Sequence, residues 1–169
     1  METKKFTRLS LLLALSVVLN LIEVIIPIFN GVIPGLKLGL ANIVILFVLM
    51  TYSFKDALYV SILRVFLVGI LRTGLFSAPF LFSLGGATLS IIMMSISKKF
   101  TKLSVVGISI VGSFFHSLGQ ILVACLIIGT KAMMYYLPLF LLFSIPTGII
   151  TGLITKELIK NLKTIDSNY

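Results

Sequence analysis

The sequence is poor in acidic residues: its 169 residues include only five Asp and Glu, and no two of these are neighbours. Diphosphate chemistry that depends on magnesium needs clustered carboxylates, because the ion binds a few carboxylates together with the substrate phosphates. The single cysteine, Cys125, excludes a disulfide within the chain, and the single histidine excludes haem held by two histidines. No G-x-x-x-x-G-K-[ST] loop for ATP is present. We therefore expect no enzyme, no bound metal and no cofactor.

Charge of either sign is scarce, at 11% of residues, whereas 59% are hydrophobic and the mean hydropathy is +1.19. A soluble domain of this length needs a charged surface, which this composition does not supply. The apolar residues run continuously instead of alternating with polar ones, which disfavours an outer-membrane barrel. The composition predicts an all-α integral membrane bundle that forms one transmembrane domain over residues 1–169.

Breaks in the hydrophobic runs predict about six transmembrane helices. The second and third are short for a bilayer that needs about 20 apolar residues, so they must tilt, thin the membrane or be sheltered by other helices. The pair Gly85-Gly86 is expected to interrupt the fourth helix, and Gly148-x-x-x-Gly152 is typical of a close helix contact on the sixth. The predicted spans cover about 7–28, 36–52, 56–71, 79–97, 103–128 and 133–154.

Most of the basic residues that give the net charge of +9 cluster between the apolar stretches. Ten of the fourteen Lys and Arg residues fall on one side of this layout and three on the other, with Arg64 inside a span. The positive-inside rule then places both termini in the cytoplasm. Membrane topology thus accounts for the basic residues, and we expect lipid and not nucleic acid to surround the chain.

Polar residues at membrane depth mark a candidate substrate-binding site, because a charge in hydrocarbon is costly and needs a reason. Arg64 lies too deep to reach the interface easily. His116 and Gln120 are four residues apart and share a helix face, while Arg64 and Arg72 are eight apart on similar faces. A shared outward cavity with excess positive charge would favour an anionic group, and apolar walls would favour a hydrophobic body. The candidate residues are Glu23, Lys37, Asn42, Arg64, Arg72, His116 and Gln120.

Each candidate also has a structural explanation. Lys37 and Arg72 lie near helix ends and could extend to the interface. Glu23 could pair with Arg64 or Lys37 as a clasp between helices. A lone histidine such as His116 is more often a hydrogen-bonded helix contact than a ligand or a proton carrier. Two further polar residues, Ser144 and Thr147, can bond their own helix backbone and need no function.

The run Pro34-Gly35-Leu36-Lys37-Leu38-Gly39-Leu40-Ala41-Asn42 resembles a bacterial membrane family, the heptaprenyl diphosphate synthase component I or Gx transporter family. The stretch 116–120, His-Ser-Leu-Gly-Gln, is similar to the family's His-Asn-x-Gly-Gln, from which Ser117 departs. The resemblance spans most of the chain. It implies a multi-pass protein of the bacterial cytoplasmic membrane. The enzymatic name of the family does not fit the missing aspartate cluster, so we interpret it as a name inherited from genomic neighbourhood.

The size and helix layout are also similar to the substrate-binding subunits of energy-coupling-factor transporters. That resemblance implies a ligand site near the outer face and a first helix that docks on a transmembrane coupling subunit driven by two ATPases. Ser10-x-x-x-Ala14 is similar to the docking motif. The expected function is capture of a small anionic or amphiphilic precursor for uptake. The alternatives are a non-catalytic membrane subunit of a prenyl-quinone biosynthetic or redox complex, and a solitary carrier that couples protons through Glu23 and His116.

Overall fold

The fold is described by a computed structural model over residues 2–25, 39–129 and 131–166, which form six α-helices and no strand. This confirms the prediction of an all-α bundle. A π-helical turn over Gly69–Thr73 continues the third helix, and a 3-10 turn over Lys131–Tyr136 precedes the sixth. The helices are α1 (Glu2–Ile25), α2 (Leu40–Thr51), α3 (Phe54–Val68), α4 (Ala78–Phe100), α5 (Val105–Ile128) and α6 (Leu137–Asp166).

Four helices are long and apolar enough to cross a bilayer, and large apolar side chains cover the outside of the bundle. Such a surface belongs in lipid, so the chain is a membrane protein. The long helices extend past several predicted spans: α1 begins at Glu2 and α6 continues to Asp166. The candidate spans are Thr3–Glu23, Ala78–Phe100, Val105–Ile128 and Met134–Leu162.

The short α2 forms the centre of the bundle. Its 12 residues reach only about 18 Å at 1.5 Å per residue, and they are apolar on every side. A helix that is hydrophobic all round is buried, and Ala41 and the seven residues 43–49 are all buried here, with Val48 fully so. Because α1, α3 and α6 contact it, α2 is sheltered inside the bundle, one of the outcomes expected for a short helix.

Glycines bring α4, α5 and α6 together closely. A Cβ placed at Gly119 of α5 would lie 2.7 Å from the carbonyl oxygen of Gly85, and one at Gly148 would lie 2.7 Å from the Cα of Ile110. Small residues allow this backbone approach in membrane bundles. The expectation that Gly85 and Gly86 interrupt the fourth helix is wrong. Helix α4 runs through both glycines, because their role is to admit the backbone of α5.

Lys5, Lys55 and Lys98 mark one end of the bundle, called the basic end below, where α1 and α3 begin and α2 and α4 end. Lys5 forms an ion pair of 2.8 Å with Asp56. The last turn of a helix leaves carbonyl groups without helical partners. Lys98 donates a hydrogen bond of 2.6 Å to the carbonyl oxygen of Leu49 and so caps α2 from α4.

Replacing Lys98 with methionine is expected to lower the free energy of unfolding by about 1 kcal/mol, because the capped carbonyl loses a charged donor. The matched control is Lys99→Met. It removes the same charge from an adjacent lysine that contacts the Phe100 ring and no carbonyl of α2. Thermal denaturation in detergent, followed by circular dichroism, compares the two. Equal losses in both variants would contradict the capping role.

Candidate functional site

A cavity of about 70 Å³ lies in the half of the bundle opposite the basic end. Every helix contributes to its walls: the end of α1, the start of α2, the end of α3, the start of α4, the middle of α5 and the start of α6. Twelve of the eighteen described lining residues are polar, and apolar residues such as Phe80 and Phe140 complete the walls. The twelve are Asn20, Glu23, Asn42, Arg64, Thr73, Ser83, Ser113, His116, Ser117, Gln120, Ser144 and Thr147.

Arg64 is the most deeply placed cation of the cavity, with only 5% of its surface exposed. One guanidinium nitrogen, NH1, donates to the Oδ1 of Asn42 at 3.3 Å. A guanidinium carries five N–H donors. Within residues 2–25, 39–129 and 131–166, no acceptor other than Asn42 is within hydrogen-bonding distance of it. Since Arg64 lines the cavity, its remaining donors are available to an acceptor there.

Glu23 is the anion of the cavity and is 6% exposed. Its carboxylate accepts a hydrogen bond from the N–H of Gly39, the residue that precedes the first turn of α2. A helix N-terminus carries a partial positive charge of about half a unit, which a carboxylate offsets. Glu23 also interacts electrostatically with Arg64. These contacts fit the clasp expected as one alternative, with Glu23 joining α1 to α2 and interacting with Arg64 of α3.

The wall formed by α5 and α6 has no Asp, Glu, Lys or Arg among its described residues and is rich in hydrogen-bonding groups. His116 and Gln120 lie one turn apart on α5, with Ser117 beside them. Glycine at position 86 is what leaves room for them, since a Cβ there would lie 2.8 Å from the Cγ of Gln120 and 3.1 Å from the Cε1 of His116. The positions of these two side chains in the cavity wall therefore depend on a glycine of a neighbouring helix.

Two α6 hydroxyls and one α1 amide complete the polar lining. Ser144 and Thr147 donate to carbonyls of their own helix, as expected from the sequence, yet both also line the cavity. Asn20 lines it from α1, and its buried Oδ1 has no hydrogen-bond donor among the described residues. Buried acceptors are nearly always satisfied, so this oxygen is an exception within the described part of the chain.

The structure brings together five of the seven predicted site residues and separates one. Glu23, Asn42, Arg64, His116 and Gln120 line the same cavity. Arg72 is exposed on the π-helical turn and does not line it, whereas Lys37 falls outside the described residues. Ligand binding by any of them stays a prediction.

Sequence reasoning did not select Asn20, which lies one turn before Glu23 on α1. The serines and threonines of the wall were also missed, because hydroxyls on membrane helices usually bond their own backbone. Their spacing at positions 113 and 117, and again at 144 and 147, places each pair on one helix face and was the available signal. The predicted docking residues Ser10 and Ala14 are both exposed on α1.

Fold and site together define a helical membrane protein with a buried polar cavity. A family profile described as Heptaprenyl diphosphate synthase component I matches residues 12–158, which is most of the chain. The chain belongs to this family, as the resemblance of its sequence motifs predicted. No curated protein and no solved structure matches it.

Proposed function

We propose that this chain is a non-enzymatic substrate-binding protein of the bacterial cytoplasmic membrane, which captures a small molecule with an anionic group for uptake. The observation that carries the proposal is Arg64: a guanidinium 95% buried in a polar cavity, with a single protein acceptor among the described residues. A buried arginine is costly unless its donors are used. A carboxylate or phosphate group matches the planar guanidinium in two parallel hydrogen bonds.

The balance of charges in the cavity supports an anionic group despite the presence of Glu23. Glu23 is engaged by the Gly39 N–H, and the positive end of α2 offsets part of its charge. Arg64 is therefore not fully neutralised by its neighbour. The hydrogen-bonding side chains on α5 and α6 fit a ligand that needs hydrogen bonds around an anionic group.

Uptake needs a source of energy, and we propose that partner proteins supply it. The expected partners are a transmembrane coupling subunit and two ATPases, with the exposed Ser10 and Ala14 face of α1 as the docking surface. With both termini in the cytoplasm, the basic end lies inside and the cavity lies toward the outer leaflet. Binding by the purified protein without uptake in liposomes would support this arrangement. Uptake driven by a proton gradient alone would favour the solitary carrier.

The direct test is to release and identify the small molecule that accompanies the purified protein. Ser83→Leu places an apolar side chain in the cavity wall and is expected to abolish the bound molecule. Ser95→Leu makes the same change on the same helix away from the cavity and should retain it. Mass spectrometry of the extracts, with circular dichroism to verify folding, reads out the result. Wild-type protein that carries nothing and binds nothing would contradict the proposal.

The family description supports a second candidate, a membrane subunit that assists a prenyl-quinone biosynthetic or redox complex. This role requires a stable complex with a soluble prenyl synthase or a flavoprotein. Affinity purification from the native membrane, in a mild detergent, distinguishes the two. Recovery of such a partner with protein whose cavity holds no small molecule would favour this second function.

A further inference from the structure

We propose that the segment joining α3 to α4, residues 69–77, binds the headgroup of an anionic phospholipid through Arg72. This segment is called the lipid-binding turn below. The site lies outside the cavity and does not depend on what the cavity binds. Three observations carry it: the exposure of Arg72, the apolar side chains beside it in the chain, and the positions of the acidic residues.

Arg72 is an exposed cation at the end of the bundle where the cavity lies. Within residues 2–25, 39–129 and 131–166, no hydrogen-bond acceptor or carboxylate lies within bonding distance of its guanidinium. Long basic side chains at the end of a membrane helix extend toward the interface, where lipid phosphates lie. A guanidinium matches a phosphate group in two parallel hydrogen bonds.

The side chains next to Arg72 in the chain suit contact with lipid. Ile70, Leu71, Leu75 and Phe76 are all large, apolar and exposed. Large apolar side chains exposed together on a membrane bundle belong in lipid. The lipid-binding turn therefore offers apolar groups to acyl chains and a guanidinium to the headgroup of the same molecule.

The backbone of Phe76 holds its ring on this surface. Its φ of +61° lies in the left-handed region, which a bulky residue rarely adopts, and the residue is 75% exposed. The ring packs edge-on against the buried Phe80, with centroids 5.9 Å apart, and the Ser77 hydroxyl closes the turn on the Gly74 carbonyl at 2.8 Å. Such a conformation persists only where its surroundings hold it. The ring is thus fixed where an interfacial aromatic residue is useful.

The acidic residues favour a lipid with a net negative charge. Glu23 is buried in the cavity, and the other four acidic residues belong to the first turns of α1 and α3 or to the last third of α6, away from the cavity end. No acidic position in the sequence therefore offsets Arg72 at the lipid-binding turn. The choline group of a zwitterionic headgroup adds a positive charge beside the guanidinium, whereas a phosphatidylglycerol headgroup does not. The other four are Glu2, Asp56, Glu157 and Asp166.

The test uses tryptophan fluorescence, because the chain has no tryptophan of its own. Phe76→Trp keeps an aromatic ring and places a single reporter on the lipid-binding turn. The variant is reconstituted into vesicles of equal parts phosphatidylcholine and phosphatidylglycerol, with brominated acyl chains on one lipid or on the other. We expect brominated phosphatidylglycerol to quench more strongly, to an extent that corresponds to a preference of about 5-fold.

Arg72→Gln in this reporter background should make the two brominated lipids quench equally. Lys99→Gln removes a cation from the basic end and should keep the preference. A second reporter, Leu142→Trp, lies exposed on α6 with no Lys or Arg within four residues, and both lipids should quench it equally.

Equal quenching at position 76, or a preference that survives Arg72→Gln, overturns the proposal. Quenching by neither lipid overturns it too, since something other than lipid then covers the turn. The molecule extracted from the Arg72→Gln variant should match that from the wild type, so the outcome here leaves the proposed function of the cavity to its own experiment.

Discussion

Alanine at position 119 is expected to destabilise the bundle by about 2–3 kcal/mol. The new Cβ would lie 2.7 Å from the carbonyl oxygen of Gly85, 3.0 Å from its carbonyl carbon and 3.0 Å from the Cα of Gly86. All three are backbone atoms, so no side-chain rotation relieves the overlap, and α4 must move away from α5. Added atoms in a packed core typically cost about 1–3 kcal/mol, and a forced backbone shift lies at the upper end.

Helix propensity favours alanine over glycine, so it partly offsets the steric destabilisation. The control must therefore include the same gain in propensity. Alanine is about 1 kcal/mol better than glycine inside a helix, so the measured loss is what remains after that gain. Gly107→Ala makes the same replacement on the same helix, but its Cβ would meet only the side chain of Leu103, at 3.3 Å. We expect this control to be neutral or slightly stabilised. Circular dichroism melts in detergent compare the two, and a loss at position 119 no larger than at 107 would refute the close-packing argument.

The membrane class and the helical architecture could be predicted because they depend on composition and on the length of the apolar runs. Small-residue spacing also predicted the contact at Gly148 and Gly152, whose added Cβ atoms would each lie 2.7 Å from a Cα of α5. Composition could not predict that α4 stays continuous through Gly85 and Gly86. Glycine either ends a helix or admits a neighbour, and only the position of α5 decides between the two.

The candidate site could be predicted in part, because a charged residue at membrane depth is costly. Such a residue indicates a partner or a function, whichever face of the helix carries it. Arg72 is the exception. Ideal helix geometry places it near the face of Arg64, but residues 69–73 form a π-helical turn in which the N–H of Gly74 bonds the carbonyl of Gly69 at 2.8 Å. A wider turn rotates the following residues away from the ideal register, so Arg72 does not line the cavity. Local sequence carried no signal for this turn.

Glutamine at position 64 is expected to weaken binding of the extracted small molecule by about 100-fold. Hydrogen bonds to a charged group contribute about 1.5–3 kcal/mol, and loss of a buried partner costs about 2–5 kcal/mol in binding. Arg64→Lys keeps the charge but loses the planar pair of donors. Its affinity for the molecule should therefore fall between those of the wild type and Arg64→Gln. Arg72→Gln removes an exposed arginine outside the cavity and should bind like the wild type. Calorimetric titration measures all three variants.

Arg64→Gln also removes a positive charge that interacts with the buried carboxylate of Glu23, so lost binding must be separated from lost folding. Removing one of two interacting buried charges costs up to about 3–5 kcal/mol, whereas removing both charges is far less costly. The double variant Glu23→Gln with Arg64→Gln keeps an oxygen that accepts the Gly39 N–H, and it should recover most of the thermal stability. If Arg64 holds the anionic group, the double variant melts near the wild type yet still fails to bind. Restored binding alongside restored stability would show that Arg64 acts through folding and does not contact the ligand.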